Sequence, residues 1–194
     1  MKKRGFTLIE MVVVLAVVAI LAAILVPTIE KNINDAKKAR AANEVQVIAA
    51  AMASFFKDVG RWPNTDGSSS LPANLELLHG PGNTGGGTNT QWWGTGLTKI
   101  DTFANHLIEN DPGDAANGYP TTGEFAWRGP YINQINADPW GYTYACNIQY
   151  TWDANGANAV FVWSAGPDGE ADTTWAQSRS SATLGDDHIG VRIR

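Results

Sequence analysis

Two groups of acidic residues stand where chemistry could happen. The first is the run Ser164-Ala165-Gly166-Pro167-Asp168-Gly169-Glu170-Ala171-Asp172, followed later by Gly185-Asp186-Asp187. Carboxylates and carbonyls on a glycine-rich loop are the hard oxygen donors that Ca²⁺ takes, roughly six to eight of them at about 2.3–2.6 Å. The spacing is not that of an EF-hand, and a solvated acidic loop accounts for the same residues. The second is a lone acid, Glu10, the one charge among residues 6–26. A carboxylate inside an apolar run of that length is costly, so a function is expected of it. The other reactive side chains form no constellation. His79, His106 and His188 are scattered without ligand spacing and are expected at the surface. Cys146 sits among apolar and aromatic residues, as a buried inert thiol does. No Gly-x-Ser-x-Gly segment is present. An enzyme is not expected.

The elements that must carry these residues begin with the apolar run. At about 1.5 Å per helical residue, residues 6–26 are long enough to cross a hydrocarbon layer of roughly 30 Å. Lys2, Lys3 and Arg4 precede the run and would stay on the cytoplasmic side. A secretory signal peptide would end in a small-x-small cleavage site. Here Leu25-Val26-Pro27-Thr28 leads straight into a charged, helix-forming segment instead. Pro27 favours a kink. Val45, Ile48, Met52, Phe55 and Val59 then recur with helical spacing, one apolar stripe that Gly60 and Pro63 close.

Downstream, 60–130 reads as loop with short helices at 71–78 and 102–110. Asp138-Pro139-Trp140-Gly141 is a turn. Strands are expected at 142–152, 159–163 and 188–193, the first two joined by a turn at 153–156. Three antiparallel strands over a helical spine make an α+β domain. The segment 79–96, with Trp92 and Trp93, is a long Gly/Asn/Thr-rich loop, and 173–184 is a second, Ser/Thr-rich one.

Lys2 to Pro27 resembles the class III signal of type IV pilins and type II secretion pseudopilins. It has a short basic leader, Gly5, Phe6, a glutamate five residues into the mature chain, and a proline at the family's distance from it. The resemblance implies that prepilin peptidase cuts between Gly5 and Phe6 and that the new Phe6 amine is N-methylated. It also implies that Glu10 pairs with the Phe6 amine of a neighbouring copy in a helical filament.

Asp58-Val59-Gly60-Arg61-Trp62-Pro63, Gly129-Pro130-Tyr131-Ile132 and Asp138 to Tyr144 are similar to segments of the major pseudopilins. So is Trp163 to Gly169, which in that family opens a calcium-binding loop. Carried across, Ser164 and Asp168 would be side-chain ligands, Asp186 and Asp187 would close the site, and Glu170 and Asp172 are possible substitutes.

On these grounds the chain resembles the type II secretion major pseudopilin family. The implied organisation is a leader at 1–5, a membrane and assembly helix at 6–26, an amphipathic spine at 27–59 and a periplasmic region at 60–194. The implied fold is type IV pilin-like, a long N-terminal helix packed on a small antiparallel sheet with long loops. The implied partners are further copies of the chain in a homopolymer, minor pseudopilins, the inner-membrane assembly platform, prepilin peptidase and inner-membrane lipid. The implied role is a fibre that drives export of folded proteins. Two rivals remain: a type IV pilin or minor pilin for adhesion or DNA uptake, and a membrane-anchored glycan-binding module using Trp92, Trp93 and Trp127. The net charge of −5 becomes −8 once Lys2, Lys3 and Arg4 are removed, so nucleic acid is not an expected partner. With one cysteine the chain has no internal disulfide, which is what makes a loop-closing cation attractive.

Overall fold

The computed structural model describes residues 5–65, 75–84, 97, 99–114, 118–151, 156–170, 176–185 and 187–194. The chain divides into two compact units, residues 1–37 and 38–194. The long helix α1 (Leu8–Val59) starts in the first and ends in the second.

In the first unit α1 is apolar and open. An 18-residue window within it has mean hydropathy 3.1 and none of it buried, long and apolar enough to cross a membrane. Helical hydrogen bonding continues through Pro27. The proline removes the donor that the Ala23 carbonyl would otherwise have, and one residue on the Thr28 hydroxyl donates to the Ile24 carbonyl at 3.3 Å.

In the second unit the expected stripe is the buried face of α1: Val45, Ile48, Met52, Phe55 and Val59, with Ala41 and Ala51 beside it. The helix stops where the sequence places its stop. Gly60 has φ +74°, a left-handed conformation that a side chain resists, and its N–H donates to the Phe56 carbonyl at 2.9 Å. Its bare face is where the Phe125 ring lies.

Against this face packs a sheet that has five strands among the described residues, not three. Its members are β1 (Leu77–His79), β2 (Ile100–Thr102), β3 (Ala145–Cys146), β4 (Phe161–Ser164) and β5 (Ile189–Arg192). The order is β2-β1-β3-β4-β5, with β1 and β2 parallel and the other neighbours antiparallel. The helix expected at 71–78 gives way to β1 where the chain is described. Leu77 and Leu78 are fully buried, and their backbone is paired on both sides, so tertiary pairing overrides a local helical preference. The strand expected over 142–152 shrinks to two residues. The Asn147 side chain replaces the ladder, accepting from Phe161 N–H at 2.8 Å and donating to the Ala159 carbonyl at 3.1 Å. A 3₁₀ turn, Ile148–Thr151, follows it. The turn at 153–155 lies outside the described residues. The short helix expected near 102–110 is α2 (Phe103–Leu107), with the Thr102 hydroxyl capping its first turn through Asn105 N–H.

Alternation along the strands divides the core in two. Leu78, Cys146, Val160 and Val162 face α1 together with Phe103, Leu107, Tyr119 and Tyr144. Leu77, Ala145, Phe161 and Trp163 face the other way, where Leu97, Ala182 and Leu184 cover them. The later part of the Ser/Thr-rich segment thus has a packing role.

Candidate functional site

Phe6 is exposed at the start of the first unit, just ahead of α1, and Gly5 precedes it. Thr7 N–H and Thr7 Oγ1 both donate to Glu10 Oε2, at 2.7 and 2.8 Å, while Glu10 N–H donates to Thr7 Oγ1 at 3.3 Å. This is a capping box, threonine before the helix and glutamate three residues on, each side chain satisfying the other's backbone. Thr7-Leu8-Ile9-Glu10 carries that pattern openly in the sequence. Glu10 therefore has a local role within a single chain, and a pairing with another copy would have to share or replace it.

At the other end of the chain, the residues expected to bind calcium are placed as follows. Ser164, the last residue of β4, is fully buried and donates to Asp138 Oδ2 at 2.5 Å, while its oxygen accepts from Gly166 N–H at 3.1 Å. Its hydroxyl donates once and accepts once, so it latches the 138–141 turn to β4 and keeps one oxygen lone pair uncommitted. Asp138 in turn accepts from Trp140 and Tyr142 N–H at 3.0 and 2.8 Å through its other oxygen. Burial pushes its carboxyl above the ordinary range, and those donors offset only part of the rise. Beyond Ser164 the chain turns at Gly166 (φ +81°) and Gly169 (φ +71°). Each glycine admits a close approach that a side chain would block: the Asp187 carbonyl at Gly166 and the Tyr142 ring at Gly169. Asp168 is exposed, with one oxygen accepting from Glu170 N–H at 3.0 Å. The Glu170 carbonyl lies 2.7 Å from His188 Nε2. Asp172 and Asp186 fall outside the described residues.

Asp168 and Asp187 therefore sit on two limbs of one loop that meet at Gly166, and both offer hard oxygen. That donor chemistry fits Ca²⁺ and does not suit a softer metal. Among the described residues no three acidic, histidine or cysteine side chains converge as a metal cluster.

A third arrangement was not foreseen. His106 is fully buried, not at the surface, and His188 is buried too, while His79 is half-buried. His106 Nδ1 lies 2.7 Å from the Tyr119 hydroxyl and Nε2 lies 3.0 Å from Asp101 Oδ2. Asp101 also accepts from Thr102 N–H, Asn105 Nδ2 and Gly113 N–H, at 2.7, 2.6 and 2.7 Å. Burial alone would raise the Asp101 carboxyl, but the His106 hydrogen bond and charge, with the Thr102 and Gly113 amides, hold it below the ordinary range. No spacing marks these three residues as neighbours, since Asp101 and Tyr119 meet only through the fold. The network pins the segment after α2, and its three side chains are buried. Cys146 is a buried free thiol, its pKa pushed far up by burial. Trp92 and Trp93 lie outside the described residues, and the Trp127 indole N–H is committed to the His106 carbonyl at 2.9 Å.

Residues 1–26 match the prokaryotic N-terminal methylation motif, the class of proteins to which a leader, Gly5, Phe6 and Glu10 point. More particularly, the chain is similar to type II secretion system core protein G. It is 26% identical over 173 residues to that of Dickeya chrysanthemi, covering 89% of this chain and 82% of the relative. It is 28% identical over 172 residues to that of Escherichia coli K12, covering 89% and 87%. The type IV major pilin protein PilA of Myxococcus xanthus is 38% identical, but over 61 residues, 31% of this chain and 28% of the pilin. No solved structure matches. The similarity to the secretion proteins extends through the sheet domain; the one to the pilin does not span it.

Proposed function

We propose that this chain is the repeating structural subunit of a type II secretion pseudopilus. The observation that carries this reading is similarity to core protein G along most of the chain, joined to a methylation motif on an apolar helix. In this reading prepilin peptidase removes residues 1–5 and leaves 6–26 as a single-pass inner-membrane anchor, with the sheet domain in the periplasm. Copies then leave the lipid, pack their apolar helices together in a homopolymer and, with minor pseudopilins and the assembly platform, extend a fibre that drives folded proteins outward. The role is mechanical and structural rather than catalytic.

Glu10 supplies the pairing logic. In the packed helices its carboxylate meets the methylated Phe6 amine of the next copy, and Thr7 holds the acid in place beforehand. Losing one member of a desolvated pair costs about 3–5 kcal/mol. Glu10→Ala is therefore expected to be cleaved and methylated normally but to yield few filaments. Filaments of normal abundance from that variant would refute the pairing.

Calcium belongs to the same proposal. Asp168 and Asp187, with Asp186 and Asp172, would hold Ca²⁺ and close the loop before β5, as a disulfide does in other small exported domains. The ion would supply cross-linking and charge neutralisation, and no chemistry. Ser164 would act beside the ion through its latch to Asp138.

A further inference from the structure

Three arginines converge at the β5 edge of the sheet. Arg192 and Arg194, two residues apart, share the sheet face opposite α1, because Val191 and Ile193 pack toward the helix. Arg192 Nη1 donates to the Arg179 carbonyl at 2.9 Å, Arg179 Nη1 donates to the Gly156 carbonyl at 3.1 Å, and Arg194 Nη1 reaches the Tyr150 and Thr151 carbonyls. A Cβ on Gly156 would lie 3.1 Å from Arg179 and 3.3 Å from Arg194, so two guanidinium groups flank one bare glycine. Every one of these partners is a neutral carbonyl, and no carboxylate of the described residues pairs with the three side chains. Among the described residues this edge therefore gathers positive charge in a chain whose net charge is −5, and an acidic surface is its electrostatic complement.

The opposite edge of the sheet has the complementary charge. Behind β2 and α2 the chain turns through Glu109, which is exposed, and Asp111. The turn is fixed by Asp111 N–H on the Asn105 carbonyl at 2.8 Å and Gly113 N–H on Asp101 at 2.7 Å. Neither Glu109 nor Asp111 has a cationic partner among the described residues.

We propose that the Arg179–Arg192–Arg194 edge of one copy docks on the Glu109–Asp111 edge of a second copy of this chain. The two surfaces differ and lie at opposite ends of one sheet, so the contact is head-to-tail, the kind that repeats into an open polymer instead of closing a dimer. It rests on the homopolymer reading and adds a contact between sheet domains that the anchor alone does not provide.

Charge reversal in the full-length chain, expressed with its assembly machinery, tests it. Arg192 is exposed and bonded only to a carbonyl, so Arg192→Glu leaves the fold intact, which the thermal melt of the variant checks. Arg192→Glu alone, and Glu109→Arg with Asp111→Arg alone, are each expected to lower filament yield about tenfold or more, since close interfacial charge pairs are worth that much. Combining Arg179→Glu and Arg192→Glu with Glu109→Arg and Asp111→Arg in one chain inverts the sign of both edges and restores it. A second variant needs no charge argument: Arg192→Cys with Glu109→Cys gives an oxidant-dependent ladder of multimers, while either cysteine alone does not. Wild-type filaments with an Arg192→Glu variant that assembles equally well, or a fourfold reversal that does not recover, would overturn the docking and leave the polymer reading standing. A wild-type chain that forms no polymer would overturn both.

Discussion

Asp101 and Asp138 are buried carboxylates with opposite problems, and the difference is measurable. Asp101 is held below its ordinary pKa of about 3.9, so its contribution to stability is complete above that value and fades as pH falls through the lower folded value. Asp138 is held above it, so the native state prefers the protonated form and loses stability as pH rises from about 3.9 through the higher folded value. Asp101→Asn, which weakens the acceptor on which Thr102, Asn105 and Gly113 converge, is expected to destabilise by about 1–3 kcal/mol at neutral pH, with a deficit that shrinks in acid. The deficit of Asp138→Asn should instead shrink as pH rises. Denaturant titrations across that range check both signs, and parallel profiles for the two variants would contradict the assigned environments. Neither role was legible beforehand. Asp138 was readable as a turn residue, and its hydrogen bond to Ser164 spans 26 positions. His106 was misread as a surface residue because nothing local separates a buried imidazole from an exposed one until its partners are placed. Asp168→Ala belongs at this scale too. In excess calcium it is expected to melt below wild type by about the difference that removing calcium makes to wild type, and equal melting temperatures would place the ion elsewhere.

Among elements, the second half of α1 and the sheet depend on each other. Phe55 is fully buried and meets Tyr119 and Tyr131 edge-on, with centroids 4.8 and 5.6 Å away. Truncation to alanine should destabilise by about 3–5 kcal/mol. The sheet is also tied to the helix by a polar contact, the Tyr144 hydroxyl donating to Glu44 Oε2 at 2.6 Å, while Arg40 holds the other oxygen at 2.7 Å. Tyr144→Phe should cost about 1.5 kcal/mol, whereas the exposed Arg40 contact is worth little. Chemical denaturation resolves the two, and a Tyr144→Phe loss as large as that of Phe55→Ala would mean the polar tie, not the aromatic packing, dominates. The helix was legible because its stripe and its glycine stop are local patterns. The sheet was legible only in part. β4 and β5 alternate, but β1, β2 and β3 are three, three and two residues long, too short for periodicity to register. What defines them is pairing partners distant in sequence, together with an asparagine that stands in for backbone.

At the scale of the whole molecule, the N-terminal helix is the part that needs covering. Residues 6–26 expose apolar surface that a folded monomer in water does not tolerate, and the sheet domain is held by hydrogen-bonded latches where covalent ones are lacking. In the proposed function such a chain is at home in lipid or in a polymer of itself, and moving between the two would require that the anchor survive processing. The direct test is the mass of the mature chain recovered from sheared filaments. A polypeptide beginning at methylated Phe6, with Glu10 and the whole apolar helix retained, is the expected result. A chain beginning beyond Val26 would contradict it.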